Sequence, residues 1–402
     1  MMSQDSGGVR ADTPSPARPT DRRSMILVLI GAALGYLAVT MVIPVLPVYL
    51  HSTIGAGAGD IGLVMGAPAL TAVAARPLAG LLSDLRGQRF AFTVGTLPLI
   101  AGAVLYPLCH STLAFTADRL MLGIGQGAVM ATATVWVVDL AAPERRGWAL
   151  GLVGMVNYLV LGAGALLGAV VVAATGSYWS VWAVAAALPT VALVLGRIAA
   201  SPPPRTVTTP GVRTAWWSGL STIMSPGASL ALSFFGYGAL TGFVVVALNQ
   251  RGIAHGTAVL TCYAVGVVLS RLLLGTLPDR LGMRPCLAIA CAAEAAGLLT
   301  VAFAGNIVVA VAGGLLCGIG MSLIYPALGR RVVRDTEHLP RRQTIVAAFG
   351  SFVDIGVGVG GPVLGLVANA GGYPAAFVVA AVLVGVAFVI QAGWRSAARA
   401  AR

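Results

Sequence analysis

Apolar runs of about twenty residues, the length an α-helix needs to cross a bilayer, follow one another along almost the whole chain. Twelve can be read, at roughly 24–50, 60–82, 90–109, 114–139, 148–173 and 178–199, then 228–249, 257–277, 286–305, 307–329, 343–369 and 375–394. Only 9% of the residues are charged and mean hydropathy is +0.91, whereas a soluble domain carries roughly 25% charged residues. The predicted fold class is all-α integral membrane, with 12 transmembrane helices in two six-helix bundles. Residues 1–23 form a polar cytoplasmic tail with a disordered composition. Bundles at 24–199 and 228–394 flank a cytoplasmic linker at 200–227, and 395–402 is a second tail. Arg22-Arg23 precedes an apolar run too long for the core of a signal peptide, and no small-residue cleavage site follows.

The net charge of +12 comes from 25 basic residues, all arginine. They gather in the tails and on one set of loops: Arg86 and Arg89, Arg145 and Arg146, Arg280 and Arg284, Arg330 and Arg331. The other set holds only Arg251. This is the positive-inside asymmetry, which predicts that both termini lie in the cytoplasm and explains the charge without a nucleic-acid partner. The five cysteines are scattered through apolar runs with no C-x-x-C, so no disulfide or metal framework is implied.

The second half of the chain repeats the first. Arg76, Gly80, Leu82, Asp84, Gly87 and Arg89 recur 195 residues later as Arg271, Gly275, Leu277, Asp279, Gly282 and Arg284. The same offset carries Gly123 and Gly125 onto Gly318 and Gly320. An offset of 197 carries Gly164 and Gly168 onto Gly361 and Gly365, and Asn157 onto Asp354. Six spans per repeat give the halves the same orientation, related by an axis along the membrane normal, as alternating-access transporters are built.

With both Asp loops in view, the chain resembles the major facilitator superfamily over about residues 24–394. Gly80 to Arg89 and Gly275 to Arg284 match that family's G-x-x-x-D-[RK]-x-G-[RK]-[RK] signature in the two expected loops. Arg119, Gly123 and Gly125 look like its R-x-x-x-G-x-G motif, and Asp139 ends the fourth span. The chain departs from the pattern at Leu85, Gln88 and Met283, where basic residues are usual. That thins the family's relay from the loop Asp to the acid ending helix four, with Arg86 or Arg89 as candidate substitutes. Ala165 stands where proton antiporters have proline in helix five, and Gly361-Pro362 carries that element in helix eleven instead. The resemblance implies the 12-helix drug or metabolite efflux members.

The candidate residues fall in three groups. Gly80, Asp84, Gly87, Arg89, Gly275, Asp279, Gly282, Arg284 and Asp139 would latch one conformation, because a carboxylate at a helix end can cap a helix of the other half; a local turn cap is the plainer alternative. Asp354, about eleven residues into helix eleven and so ~16 Å deep, is the foremost coupling candidate, because an ionisable group at that depth is a functional hypothesis by default. Arg119 and Asp118 join it, Asp118 being the neighbour that could satisfy the arginine. Arg76 and Arg271 are expected to pair with nearby loop acids. Glu294 is equally deep, on a helix that is peripheral in this family, and the four histidines lie in loops. Tyr36, Thr40, Gln126, Asn157, Tyr158, Phe234, Phe235, Tyr237, Met321 and Tyr325 fall on helices that line the family's central cavity, a lining suited to an amphipathic organic solute.

These readings predict a monomeric secondary transporter of the cell inner membrane, a proton-coupled antiporter exporting a drug or metabolite. Import of a sugar, nutrient or siderophore on the same fold is the alternative. No cofactor or metal is called for. Paired catalytic groups, H-E-x-x-H and a phosphate-binding G-x-x-x-x-G-K-[ST] loop are all missing from the sequence, which argues against an enzyme or an ATPase.

Overall fold

The computed structural model describes residues 21–201, 220–337 and 342–400. The predicted tail up to residue 20, most of the predicted linker and His338 lie outside the described residues, as does the side chain of Asp279.

The described residues are almost wholly helical. The spanning helices are α1 (Arg22–Thr40), α2 (Ala58–Arg86), α3 (Gln88–Leu105), α4 (Thr112–Leu140), α5 (Arg146–Thr175) and α6 (Tyr178–Ile198). The second half has α7 (Leu220–Gln250), α8 (Thr257–Leu274), α9 (Met283–Ala302) and α10 (Ile307–Asp335). The last stretch, Arg342–Ala400, is two helices joined at Gly372, here α11 (342–371) and α12 (373–400).

Four boundaries depart from the sequence reading. The first span is broken rather than continuous. After α1 the chain turns through 41–45 into short helical pieces at Leu46–Tyr49 and Leu50–Ile54, because Pro44 and Pro47 supply no amide hydrogen to a helix ladder. α7 begins eight residues before the predicted 228, and α12 continues through 395–400, predicted as tail. No loop separates α11 from α12: Gly372 reverses the chain with φ of +78°, a conformation that favours glycine.

Each half builds the same contacts from different residues. A Cβ on Gly123 would collide with the Pro68 carbonyl, and one on Gly318 with the Tyr263 carbonyl, each 195 residues further on. Gly125 abuts Leu99, while Gly320 abuts Glu294, the residue at the same place in the repeat. Small residues at these crossings let backbones touch where lipid offers no hydrophobic drive to helix packing. The turns after α2 and before α9 also match, with Gly87 at φ +88° and Gly282 at φ +80°.

Arginines bind helix carbonyls in both halves. Arg89 Nη2 donates to the Ala199 carbonyl at 2.6 Å, and Arg284 Nη2 to the Ala392 carbonyl at 3.0 Å. At the opposite end, Arg251 donates to the carbonyls of Val301, Ala302 and Ala304, closing the C-terminus of α9. Asp21 accepts from the Ser24 amide at the start of α1, which holds its carboxyl below the usual range.

The halves meet along two seams, α2 with α11 and α5 with α8. The first is tight at the end far from the Asp loops. A Cβ on Gly62 would run into the Gly361 carbonyl, and one on Gly66 would come within 2.8 Å of the Gly358 carbonyl. Beyond them the Gly59 amide donates to Asn369 Oδ1 at 3.2 Å, and Gln250 Nε2 and His51 Nε2 lie 3.2 Å apart across the halves. At the other end of α2 the same seam is open, and nothing lies within 4 Å of where a Gly80 Cβ would stand.

Candidate functional site: the cavity between the halves

Between the seams lies one large cavity of about 1980 Å³, wider than a drug-sized pocket of roughly 300–1,000 Å³. Its mouth is lined by Asp21, Asp84, Gln88, Asp139, Arg146 and Ser201, and its deep part by Tyr36, Met65, Arg119, Tyr237 and Tyr263. It opens at the end that carries the first Asp loop and closes at the end sealed by Gly62 and Gly361.

The predicted cavity residues separate into two groups. Tyr36, Gln126, Asn157, Tyr158, Phe234, Tyr237 and Tyr325 line the cavity. Thr40 does not line it. It is fully buried and donates to the Val160 carbonyl at 3.2 Å, tying α1 to α5. Phe235 instead packs against Gly360, and Met321 is buried away from the lining.

The aromatic character of the wall is lopsided. Phe234, Tyr263 and Tyr325 line it from the second half, and the positions 195 residues earlier, Val39, Pro68 and Met130, line it too with aliphatic side chains. Tyr237 stands 5.9 Å from Tyr263, ring centre to ring centre. Sequence reasoning misses Tyr263, although its repeat partner Pro68 sits at the close-packed Gly123 crossing.

The arginines differ most from expectation. Arg76 pairs with no loop acid. It reaches across the seam from α2 to Asp354 on α11, with Nη2 donating to Oδ1 at 3.0 Å and Nε 3.0 Å from Oδ2. Asp354 is buried and Arg76 is partly open to the cavity. Arg271 likewise turns inward, its guanidinium 4.5 Å above the ring of Tyr158 on α5.

Arg119 is almost fully buried at the deep end, where Nη1 donates to Tyr106 Oη at 3.3 Å and Nη2 lies 3.7 Å from Met65 Sδ. Asp118 does not satisfy it. The aspartate faces Gly102 on α3, and neither of its carboxylate oxygens has a hydrogen-bond partner among the described residues. Glu294 lies within the second bundle against Gly236 and Gly320, outside the cavity lining.

At the mouth, Asp84 makes no ion pair among the described residues and borders the open cavity. Gln88 Nε2 donates to Asp139 Oδ2 at 2.6 Å. The amide therefore makes the connection for which Arg86 and Arg89 were candidates. Arg86 stacks over Phe90 instead, and Arg89 caps α6.

This architecture is matched by known proteins. The Major Facilitator Superfamily profile matches residues 28–329 and 227–402. The "Uncharacterized MFS-type transporter YhhS" of Escherichia coli (strain K12) is 30% identical over 373 residues, 90% of this chain and 89% of the relative. An MFS-type transporter of Burkholderia pseudomallei (strain 1106a) is 30% identical over 356 residues, 86% of each chain. Among solved structures, a mutant of the nucleoside transporter NupG superposes with a TM-score of 0.75 at 14% identity, covering 92% of this chain and 99% of its own. A bacterial homologue of the human lysosomal transporter Spinster, inward-facing and unoccupied, superposes with a TM-score of 0.74 at 18% identity, covering 93% and 96%. At these identities the superpositions establish the fold. With the profile and the curated relatives, they establish the lineage: the chain belongs to the major facilitator superfamily of membrane transporters.

Proposed function

We propose that the chain is a proton-coupled secondary transporter that exports a small amphipathic organic molecule by alternating access, with the cavity mouth and both termini on the cytoplasmic side. The observation that carries the reading is the Arg76–Asp354 ion pair, set inside the cavity on the seam between the moving halves. A carboxylate there cannot lose its charge without changing what holds the halves together. Ionised, Asp354 ties α11 to α2 through Arg76. Protonated, it gives up the ionic part of that tie and frees the seam to rearrange. A charge pair in a poorly solvated site is held by its geometry, and removing one charge strands the other, so proton binding and rocking share one free energy.

The open end favours loading from the cytoplasm. Arg clustering at that end supports the orientation, and Gly80, bare on the cavity side, leaves room for a helix of the other half to close against it. Asp84 and the Gln88–Asp139 contact stand where that closed state would be latched.

The test uses the whole protein in liposomes that enclose a pH-sensitive dye, challenged with a panel of amphipathic drugs and metabolites. Proton movement that depends on a compound, and compound movement against its gradient driven by an imposed pH difference, are expected. Transport of a compound with no accompanying proton movement at any pH difference would overturn the coupling, and accumulation only in the inward direction would overturn export.

A further inference from the structure

We propose that the α5–α8 wall of the cavity docks the negative end of the transported molecule on Arg271, which makes the cargo an organic anion with a single charged head and an aromatic body. The inference deepens the transport reading above and rests on it.

The repeat supplies the first argument. Arg76 and Arg271 occupy the same position in the two halves, and so do Asp354 and Asn157. On the α2–α11 seam the arginine meets its aspartate. On the α5–α8 seam the equivalent arginine also reaches across to the other half, and the position that matches Asp354 in the repeat is the amide Asn157. Arg271 Nη1 is 3.5 Å from the position of a Gly154 Cβ, one turn before Asn157, and its guanidinium lies over the Tyr158 ring. In the repeat, the position that holds the pair's anion is taken by a neutral side chain.

The second argument is the state of the guanidinium. Among the described residues Arg271 has no hydrogen-bond or carboxylate partner, and its Nε is buried and unpaired. Arg271 stands in the last turn of α8, and a guanidinium partly withdrawn from water is costly unless something answers it. The face of a tyrosine attracts the cation but brings no net charge and no acceptor to the N–H groups.

The third is the charge of the cavity. Three arginines line its inner part, Arg76, Arg119 and Arg271, against one acid, Asp354, already engaged by Arg76. Asp118 is outside the lining, and Asp21, Asp84 and Asp139 stand at the mouth. An organic cation would meet no free carboxylate there. A carboxylate would meet the planar fork that binds it in two parallel hydrogen bonds. Asn157, one turn on from Gly154, lines the same cavity and can donate a further one, and Tyr158 and Tyr263 on the same wall offer aromatic surface to a flat body. The arginines come from three different helices, so one anionic head fits better than a polyanion.

The purified full-length protein in nanodiscs tests this with three probes of one shape and different charge: benzoate, benzamide and benzylamine. Isothermal titration is expected to rank benzoate first, at least about tenfold tighter than benzamide, from hydrogen bonds to a charged group, with benzylamine weakest. Arg271→Gln is expected to erase the difference between benzoate and benzamide, and Arg271→Lys to keep part of it. Asn157→Asp, which restores the missing internal anion while leaving Arg271 in place, is expected to erase it as well, and stands as the second variant if Arg271→Gln does not fold. Equal binding of benzoate and benzamide by the wild type, no binding of any probe, or a benzoate preference that survives Asn157→Asp would overturn the proposal. The titration needs no gradient, so failure of proton coupling leaves this result standing, and failure here leaves proton coupling to its own test.

Discussion

Along the α2–α11 seam, an arginine and an aspartate from opposite halves close an ion pair. Along the α5–α8 seam, the equivalent arginine crosses the same gap and rests on a tyrosine. The two seams occupy matching places in the repeat, and among their differences is the exchange of carboxylate for amide, Asp354 against Asn157. A symmetric protein would have two self-satisfied seams and a neutral cavity. This one closes an ion pair on one seam and rests its arginine on a tyrosine on the other. On the proposed function the first seam carries the proton, and on the further inference the second meets the cargo.

The comparison can be broken hardest at the closed end of the first seam. Gly62→Val places a branched side chain where the Gly361 carbonyl already touches, so this end of the seam, the gate of the proposed function, cannot close. Transport in liposomes should fall to background while the protein still folds and elutes as one species. Activity within twofold of wild type would show that this contact is not the gate.

Next in size is the pair itself. Arg76→Gln strands Asp354 without its cation, a change that costs 3–5 kcal/mol at fully buried pairs and less here, about 1–3 kcal/mol, because Arg76 is 41% exposed. The midpoint of thermal unfolding should drop. Adding Asp354→Asn should recover most of the loss, since the double variant leaves no lone charge. Two losses that simply add would mean the residues do not feel each other.

The smallest effect belongs to the mouth. Gln88→Ala removes one hydrogen bond to Asp139, worth about 1 kcal/mol, and should shift the balance between inward and outward states by about fivefold. Labels on the two halves at the open end, followed by electron-spin distance measurements, would read that shift. An unchanged distance distribution would remove Gln88 from the latch.

Much of this is legible from residues alone. Most of the spans and the matched glycine turns of the 195-residue repeat recur in the structure because helix length in a bilayer and positive-φ turns at Gly87 and Gly282 leave few alternatives. The break after Thr40 is visible as Pro44 and Pro47, yet the apolar run through them reads as one helix. The join at Gly372 reads as a loop because nothing local distinguishes a one-residue reversal from a short turn. Contact between the halves is not legible. Arg76 and Asp354 are 278 positions apart, and nearer acids offer themselves as partners. The repeat holds the clue, since Arg76 with Arg271, and Asn157 with Asp354, are matched pairs. Only the fold shows that Arg76 meets Asp354 and that Arg271 reaches α5. Thr40 reads as part of the lining because its helix borders the cavity, but the helix has two faces and Thr40 is on the one packed against α5.

Asp354→Asn offers the most direct test of the central claim that the ion-paired seam carries the proton. In liposomes, the variant should still exchange labelled substrate for unlabelled substrate across the membrane, a process that needs rocking but no net proton movement. It should fail to drive accumulation from an imposed pH difference. Accumulation driven by pH at the wild-type level in Asp354→Asn would contradict the claim and move the proton to another group.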